Sequence, residues 1–150
     1  MQKPEISDLK KGIQPNFPEP ESVGDRPWGK EDLLVLVPKK YMLKRLEIRA
    51  GSKGGLQYHR RKDECGVVVS GEMIIRFDDG DGGLTERTVS AGDVFHFPPG
   101  SIHQEEAITN CQIIEASTPH FNDRVRVEKL FGIKDTSGLK TTKKSDVKFL

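Results

Sequence analysis

Cysteine is scarce in this chain of 150 residues: there are two, Cys65 and Cys111, far apart and unclustered. That excludes a disulfide framework and a thiolate metal site, and it fits a reducing cytoplasm. An excess of one charge is missing as well. With 24 basic against 23 acidic side chains the formal charge is +1, so no net field draws the chain to nucleic acid or to an anionic membrane surface. Long hydrophobic runs are also lacking. The longest, 33–37 and 67–69, fall far short of the roughly 20 residues that cross a bilayer. The opening MQKPEISDLKK has no apolar stretch behind its charges and does not read as a secretory signal. The expected location is cytoplasmic, with neither a membrane nor a nucleic-acid partner. No internal repeat is visible.

What is present is enough for one domain with a single core. Residues 1–25 carry Pro4, Pro15, Pro18 and Pro20 with little periodicity, and read as an extended arm. From Trp28 onward, short runs rich in Val, Ile, Leu and Phe alternate with Gly, Pro and Asp turns. The runs 32–37, 41–49, 56–59, 66–70, 72–77, 84–90, 94–97 and 111–117 are predicted strands. That many strands with close turns predicts an all-β antiparallel barrel or jelly roll. In 72–77 the alternation is imperfect because Ile74 is apolar too, which suggests a partly covered outer face and a homodimer. The run Asp78-Asp79-Gly80-Asp81-Gly82-Gly83 resembles a calcium loop but lacks the spacing and terminal Glu of one, and is predicted to be a hairpin turn. Residues 122–131 fit a final strand or a short helix, with a strand followed by a turn at Gly132 preferred. Lysines among Ser and Thr in 133–150 give a solvated, polar tail.

Two glycine-bounded stretches carry the chemistry. Residues two apart on a strand share a face, so Gln57 and His59 can both point into a barrel while Tyr58 points away. The four residues 60–63 turn the chain so that Glu64 starts the next strand beside them. In the second stretch Pro98-Pro99-Gly100 forces a turn, after which His103 re-enters. Gln57, His59, Glu64 and His103 are therefore the expected ligands of one divalent metal. With two imidazoles, a carboxylate and an amide oxygen the site suits zinc, manganese, cobalt, nickel or iron(II). The residual positive charge favours an anionic or enediolate-like ligand. His96 and His120 lack such context and are expected to be structural or to lie behind the ligands.

These stretches resemble the two motifs of the cupin superfamily. Gly51, His59, Glu64 and Gly71 match the first, with Gln57 at the first His position. Gly92, Pro98, Gly100 and His103 match the second, with Ala107 in place of its Asn. The chain is most similar to the cupin domain of type II mannose-6-phosphate isomerases, over roughly residues 26–132. Arg26-Pro27-Trp28-Gly29 looks like that family's opening segment, Leu56-Gln57-Tyr58-His59 like its ligand strand, and 113–115 with 123–126 like its closing stretch. The resemblance implies a single cupin barrel, a double-stranded β-helix over 26–132 with the arm and tail outside it.

The function so implied is metal-dependent aldose–ketose isomerisation of a phosphorylated or nucleotide-linked sugar through an enediolate. Arg60, Arg61 and Lys62 crowd three cations beside the ligand strand, where a phosphate would suit them or Asp63 would pair with them. Arg126 is a second phosphate candidate through the resemblance. Glu115 is the candidate acid or base if its strand faces the cavity. Alternatives are a metal-dependent oxygenase, which the same barrel supports, and a sugar- or metabolite-binding protein without turnover.

Overall fold

The computed structural model describes residues 7–136 and 138–150. The strands, in chain order, are β1 (Glu21–Arg26), β2 (Gly29–Val37), β3 (Tyr41–Ile48), β4 (Gln57–Tyr58) and β5 (Glu64–Ser70). There follow β6 (Glu72–Asp78), β7 (Leu84–Ser90), β8 (Val94–Phe97), β9 (His103–Ala107) and β10 (Cys111–Ser117). Three short ones close the chain: β11 (His120–Phe121), β12 (Val125–Arg126) and β13 (Lys148–Phe149), with 3₁₀ turns at Glu128–Phe131 and Lys144–Asp146. All pairings are antiparallel, in one sheet of order β1-β2-β3-β10-β5-β8, a second of order β12-β4-β9-β6-β7 and a separate β11-β13 pair. The two sheets form a jelly-roll barrel. Among the described residues no helix is long and apolar enough to cross a membrane.

The inward faces of the strands change character along their length, and that change creates the site. On β10, Cys111, Ile113, Glu115 and Ser117 all point inward by strand parity and are buried. On β3 the inward residues are Met42, Lys44, Leu46 and Ile48. Ile113 pairs with Leu46 and Val68, whereas Glu115 pairs with Lys44, and Ser117 with Glu64. One end of the barrel is therefore dry, filled by Val68, Met73, Ile75 and Ile113; the other end is lined with charges. Leu46 and Ile48 border both the core and the cavity. Burying those four core side chains contributes roughly 1.5–3 kcal/mol each.

Gly71 shows why the first motif closes on glycine. It sits at φ +90°, and a Cβ there would lie 2.3 Å from the carbonyl oxygen of Asn110. Only a residue without a side chain lets the β5–β6 turn lie against the start of β10. The Asp-rich run is a hairpin loop between β6 and β7, held by Asp78 Oδ1 accepting from Gly80 N at 2.9 Å and Asp79 Oδ1 from Asp81 N at 2.8 Å.

The structure differs from the sequence expectations at both ends. Residues 21–25 leave the expected arm and, with Arg26, pair with β2, held by the backbone ladder and by Arg26 Nε on Glu31 at 3.0 Å. An edge strand buries little, so it needs no apolar alternation to betray it. The strand β9, HQEEA, also lacks alternation because its inward residues face the charged end of the barrel. After β12 the chain makes a 3₁₀ turn that ends on Gly132 in the left-handed conformation, so the preferred strand is cut to two residues, a short helix follows it, and the turn at Gly132 is where it was expected. The polar tail folds back onto the barrel. Arg126 binds the Leu139 carbonyl at 2.9 Å and Asp135 at 2.8 Å, Thr142 N bonds Arg124 O at 3.0 Å, and β13 pairs with β11.

Candidate metal centre

His59, Glu64 and His103 converge at the charged end of the barrel, each offering one ligand atom within 4.8 Å of the others. His59 follows β4 directly, Glu64 opens β5 and His103 opens β9, opposite Gln57 in the β4–β9 ladder. The ring of Phe97 stacks on His103 with centroids 3.9 Å apart. Glu64 Oε1 stands 3.1 Å from His59 Nε2 and 3.3 Å from His103 Nε2.

The outer nitrogens decide what lies between these atoms. His59 Nδ1 bonds the backbone carbonyl of Asp123, and His103 Nδ1 bonds that of Ser101 at 2.9 Å. A carbonyl only accepts, so both Nδ1 atoms carry the hydrogen and both Nε2 atoms can present lone pairs. Two nitrogen lone pairs and a carboxylate oxygen then face one another in a buried space. A divalent cation satisfies all three, and ring N–H groups fixed on backbone carbonyls are the usual support of histidine ligands. The donor set fits a metal ion. Without one, a proton must take its place, and the His103 pKa is accordingly raised: burial disfavours the imidazolium, but the Glu64 carboxylate outweighs it.

Asp123 builds the turn that carries these ligands. Its carboxylate accepts the backbone N–H groups of Arg60 at 3.0 Å, Arg61 at 2.8 Å and Lys62 at 2.9 Å. Burial pushes its pKa up, yet those three bonds hold it below the ordinary aspartate value. The stability this contributes is present above the ordinary range and is lost as pH falls through the folded-state pKa. Asp123→Asn is expected to cost about 2–3 kcal/mol near neutral pH. Urea unfolding at pH 7 and pH 3 should show the deficit shrinking in acid; a deficit independent of pH would contradict this role.

The enclosing cavity has a volume of about 420 Å³. Gln57 and Glu115 line it, as does Lys62. Lys62 Nζ lies 2.8 Å from Glu64 Oε2 and 3.4 Å from Glu115 Oε1, so it ties the cluster's carboxylate to a second one. Burial works against its charge, but Glu64 and Glu115 outweigh burial and hold the ammonium in place. The Glu64 pKa is correspondingly far down despite burial, owing to Lys62 and the two imidazoles. Burial and the nearby Glu64 push the Glu115 carboxyl up. Glu105 is pushed up to about 7, chiefly by burial.

The other cations named from the sequence are turned away or already engaged. Arg60 extends away to the Thr142 carbonyl, at 2.7 Å, and Arg61 is exposed. Arg126 lines the cavity, but its guanidinium is engaged by Glu128, Asp135, Thr136 and Leu139. His120 borders the cavity and stacks on Phe149, and exposed His96 bonds Asp63 at 2.7 Å. Sequence reasoning missed Glu105, Asp123 and the trio Arg26, Glu31 and Lys44. Glu105 was within reach of strand parity, two residues after His103; the others depended on contacts between distant segments.

No curated protein matches the chain. Among solved structures, the capsular polysaccharide assembling protein CapF from Staphylococcus aureus is 24% identical with a TM-score of 0.58, covering 71% of this chain and 29% of that one. KdgF from Halomonas sp. is 22% identical with a TM-score of 0.54, covering 66% of this chain and 85% of that one. An oxalate decarboxylase variant from Bacillus subtilis is 18% identical with a TM-score of 0.58, covering 71% and 30%. The chain thus spans less than a third of CapF and of oxalate decarboxylase, and at these identities the likeness is one of fold. Residues 44–120, just over half of the chain, match the family described as Cupin domain. With the two motifs on adjoining strands of one jelly-roll barrel, the chain belongs to the cupin family.

Proposed function

We propose that the protein is a metal-dependent isomerase of a small anionic sugar, interconverting an aldose and a ketose by moving a proton between adjacent carbons. The observation that carries this reading is the bridge Glu64–Lys62–Glu115, which sets a second buried carboxyl beside the metal-ligand cluster within one cavity. His59, Glu64 and His103, with Gln57 beside them, would hold a divalent ion, which would supply Lewis-acid polarisation of a carbonyl and its neighbouring hydroxyl. Glu115 accepts the proton from one carbon and returns it to the next. Lys62 stays an ammonium throughout, keeping Glu64 ionised for its ligand role and orienting Glu115. A cavity of about 420 Å³ suits a hexose phosphate, since small-molecule sites run from roughly 300 to 1,000 Å³.

Mannose 6-phosphate and fructose 6-phosphate are the substrate pair to try first. Incubated in deuterium oxide under nitrogen with protein carrying zinc, manganese, cobalt, nickel or iron(II), they should interconvert and take up deuterium at the exchanging carbon, read by NMR. Glu115→Gln should remove the exchange while the metal content is unchanged. Binding without exchange, or exchange replaced by oxygen uptake in air, would overturn the isomerase reading in favour of a binding protein or an oxygenase respectively.

A further inference from the structure

The cavity has a second charged wall that the metal cluster does not use. Glu31 accepts from Arg26 Nε at 3.0 Å and from Lys44 Nζ at 2.9 Å, which places two cations on one acid. All three line the cavity, and so does Arg124. Arg124 follows Asp123, the residue that positions His59, and its Nε is fixed on the Lys140 carbonyl at 2.8 Å. Among the described residues it has no ion-pair partner, and the terminal amino groups of both Arg26 and Arg124 have no hydrogen-bond acceptor. Half-buried cations bordering a cavity are normally paired.

We infer that Arg26 and Arg124 form an anion subsite that receives the charged end of the substrate, a phosphate or a carboxylate, while the opposite end lies at the metal cluster. The two guanidiniums can offer paired N–H groups to an oxyanion, an arrangement that lysine does not reproduce. Burial lowers the Arg124 pKa, and the charges of Arg26 and Arg126 lower it further with only Glu31 opposing. A bound anion relieves that repulsion. Glu31 is already engaged by Arg26 and Lys44, and Glu64 and Glu115 are engaged by Lys62, so none of them neutralises Arg124. Arg126, the phosphate candidate named from the sequence, is saturated by the tail it anchors, whereas Arg124 is free to bind.

The subsite stands on its own geometry; only the orientation of the substrate rests on the isomerase reading. Its test therefore uses metal-free protein, stripped with a chelator, and inorganic phosphate or acetate as the probe, titrated calorimetrically at low ionic strength. The wild type should bind one anion per chain. Arg124→Gln and Arg26→Gln should each weaken binding by about tenfold or more, in keeping with loss of a charge-assisted pair, whereas Arg87→Gln on the exposed face of β7 should leave it unchanged. Phosphate binding tighter than acetate identifies a sugar phosphate, and the reverse identifies a sugar acid. Lack of binding by the wild type, or equal affinity in folded Arg124→Gln and Arg26→Gln proteins, overturns the subsite. Two independent variants guard against loss of fold, since Glu31 keeps Lys44 when Arg26 is removed. If the anion binds and no sugar phosphate exchanges deuterium, the subsite survives and the isomerase reading fails.

Discussion

Glu64→Gln is expected to strip the protein of its metal. The change preserves side-chain shape, so it isolates the charge. Glu64 Oε1 is the atom that both imidazoles face, and it is the only anionic ligand of the set. An amide leaves a divalent ion among neutral donors in a buried space, where its own desolvation is no longer compensated. The loss of affinity should exceed the roughly 10- to 100-fold that follows from removing a partner behind a ligand. Metal analysis of protein purified without chelators should find the wild type loaded and the variant depleted, with the fold kept as judged by circular dichroism. Because Lys62 still has Glu115 at 3.4 Å, the variant is not left with an isolated buried ammonium. Retention of metal at the wild-type level in Glu64→Gln would remove Glu64 from the ligand set and with it the proposed chemistry.

Lys62→Met should have the largest effect on stability. The ammonium is nearly buried and serves two carboxylates, and breaking such a pair from one side typically costs about 3–5 kcal/mol. The size of the loss should depend on pH in a defined direction. Burial and Glu64 already push Glu115 up, and Lys62 is what holds it down; without Lys62 its folded-state pKa climbs further above the ordinary carboxylate value. A carboxyl raised on folding leaves stability intact below its ordinary pKa and drains it as pH rises toward the folded-state value. The variant should therefore already lie below the wild type at pH 5, where the Lys62–Glu64 pair is lost, and fall further, to about 3 kcal/mol or more below it, at pH 8. Urea unfolding of chelator-treated protein at the two pH values reads this directly. A deficit of the same size at both would mean that Lys62 does not hold the Glu115 carboxyl down and acts through Glu64 alone.

The residues of the candidate cluster were legible in the sequence because the spacing within each stretch is local, whereas the β4–β9 pairing brings the two stretches together. Gln57 and His59 share a strand face by spacing, Glu64 follows after one turn, and the Pro98-Pro99-Gly100 turn sets where His103 re-enters. The pattern of short apolar runs between turns likewise marked β3, β6 and β10, whose inner faces are apolar at the dry end of the barrel. It could not mark β1 or β9, since an edge strand and a strand facing a charged cavity bury too little apolar surface to show a pattern.

The cations were a different matter. Arg60, Arg61 and Lys62 are adjacent and chemically alike in the sequence, and only one of them enters the cavity. That choice is made by Asp123, some sixty residues away, whose carboxylate takes all three backbone N–H groups and turns the segment so that Lys62 alone reaches Glu64 and Glu115. Arg124 and Arg126 stand two apart, yet the folded-back tail saturates Arg126 and leaves Arg124 without an acid among the described residues.

By itself the sequence determined the barrel and pointed to the residues of the candidate metal cluster, because strand periodicity and turn chemistry act over a few neighbours. The tertiary structure decided which charges meet in the cavity and which pair outside it. Coulombic partners are set by proximity in space, which the order of residues along the chain does not encode locally.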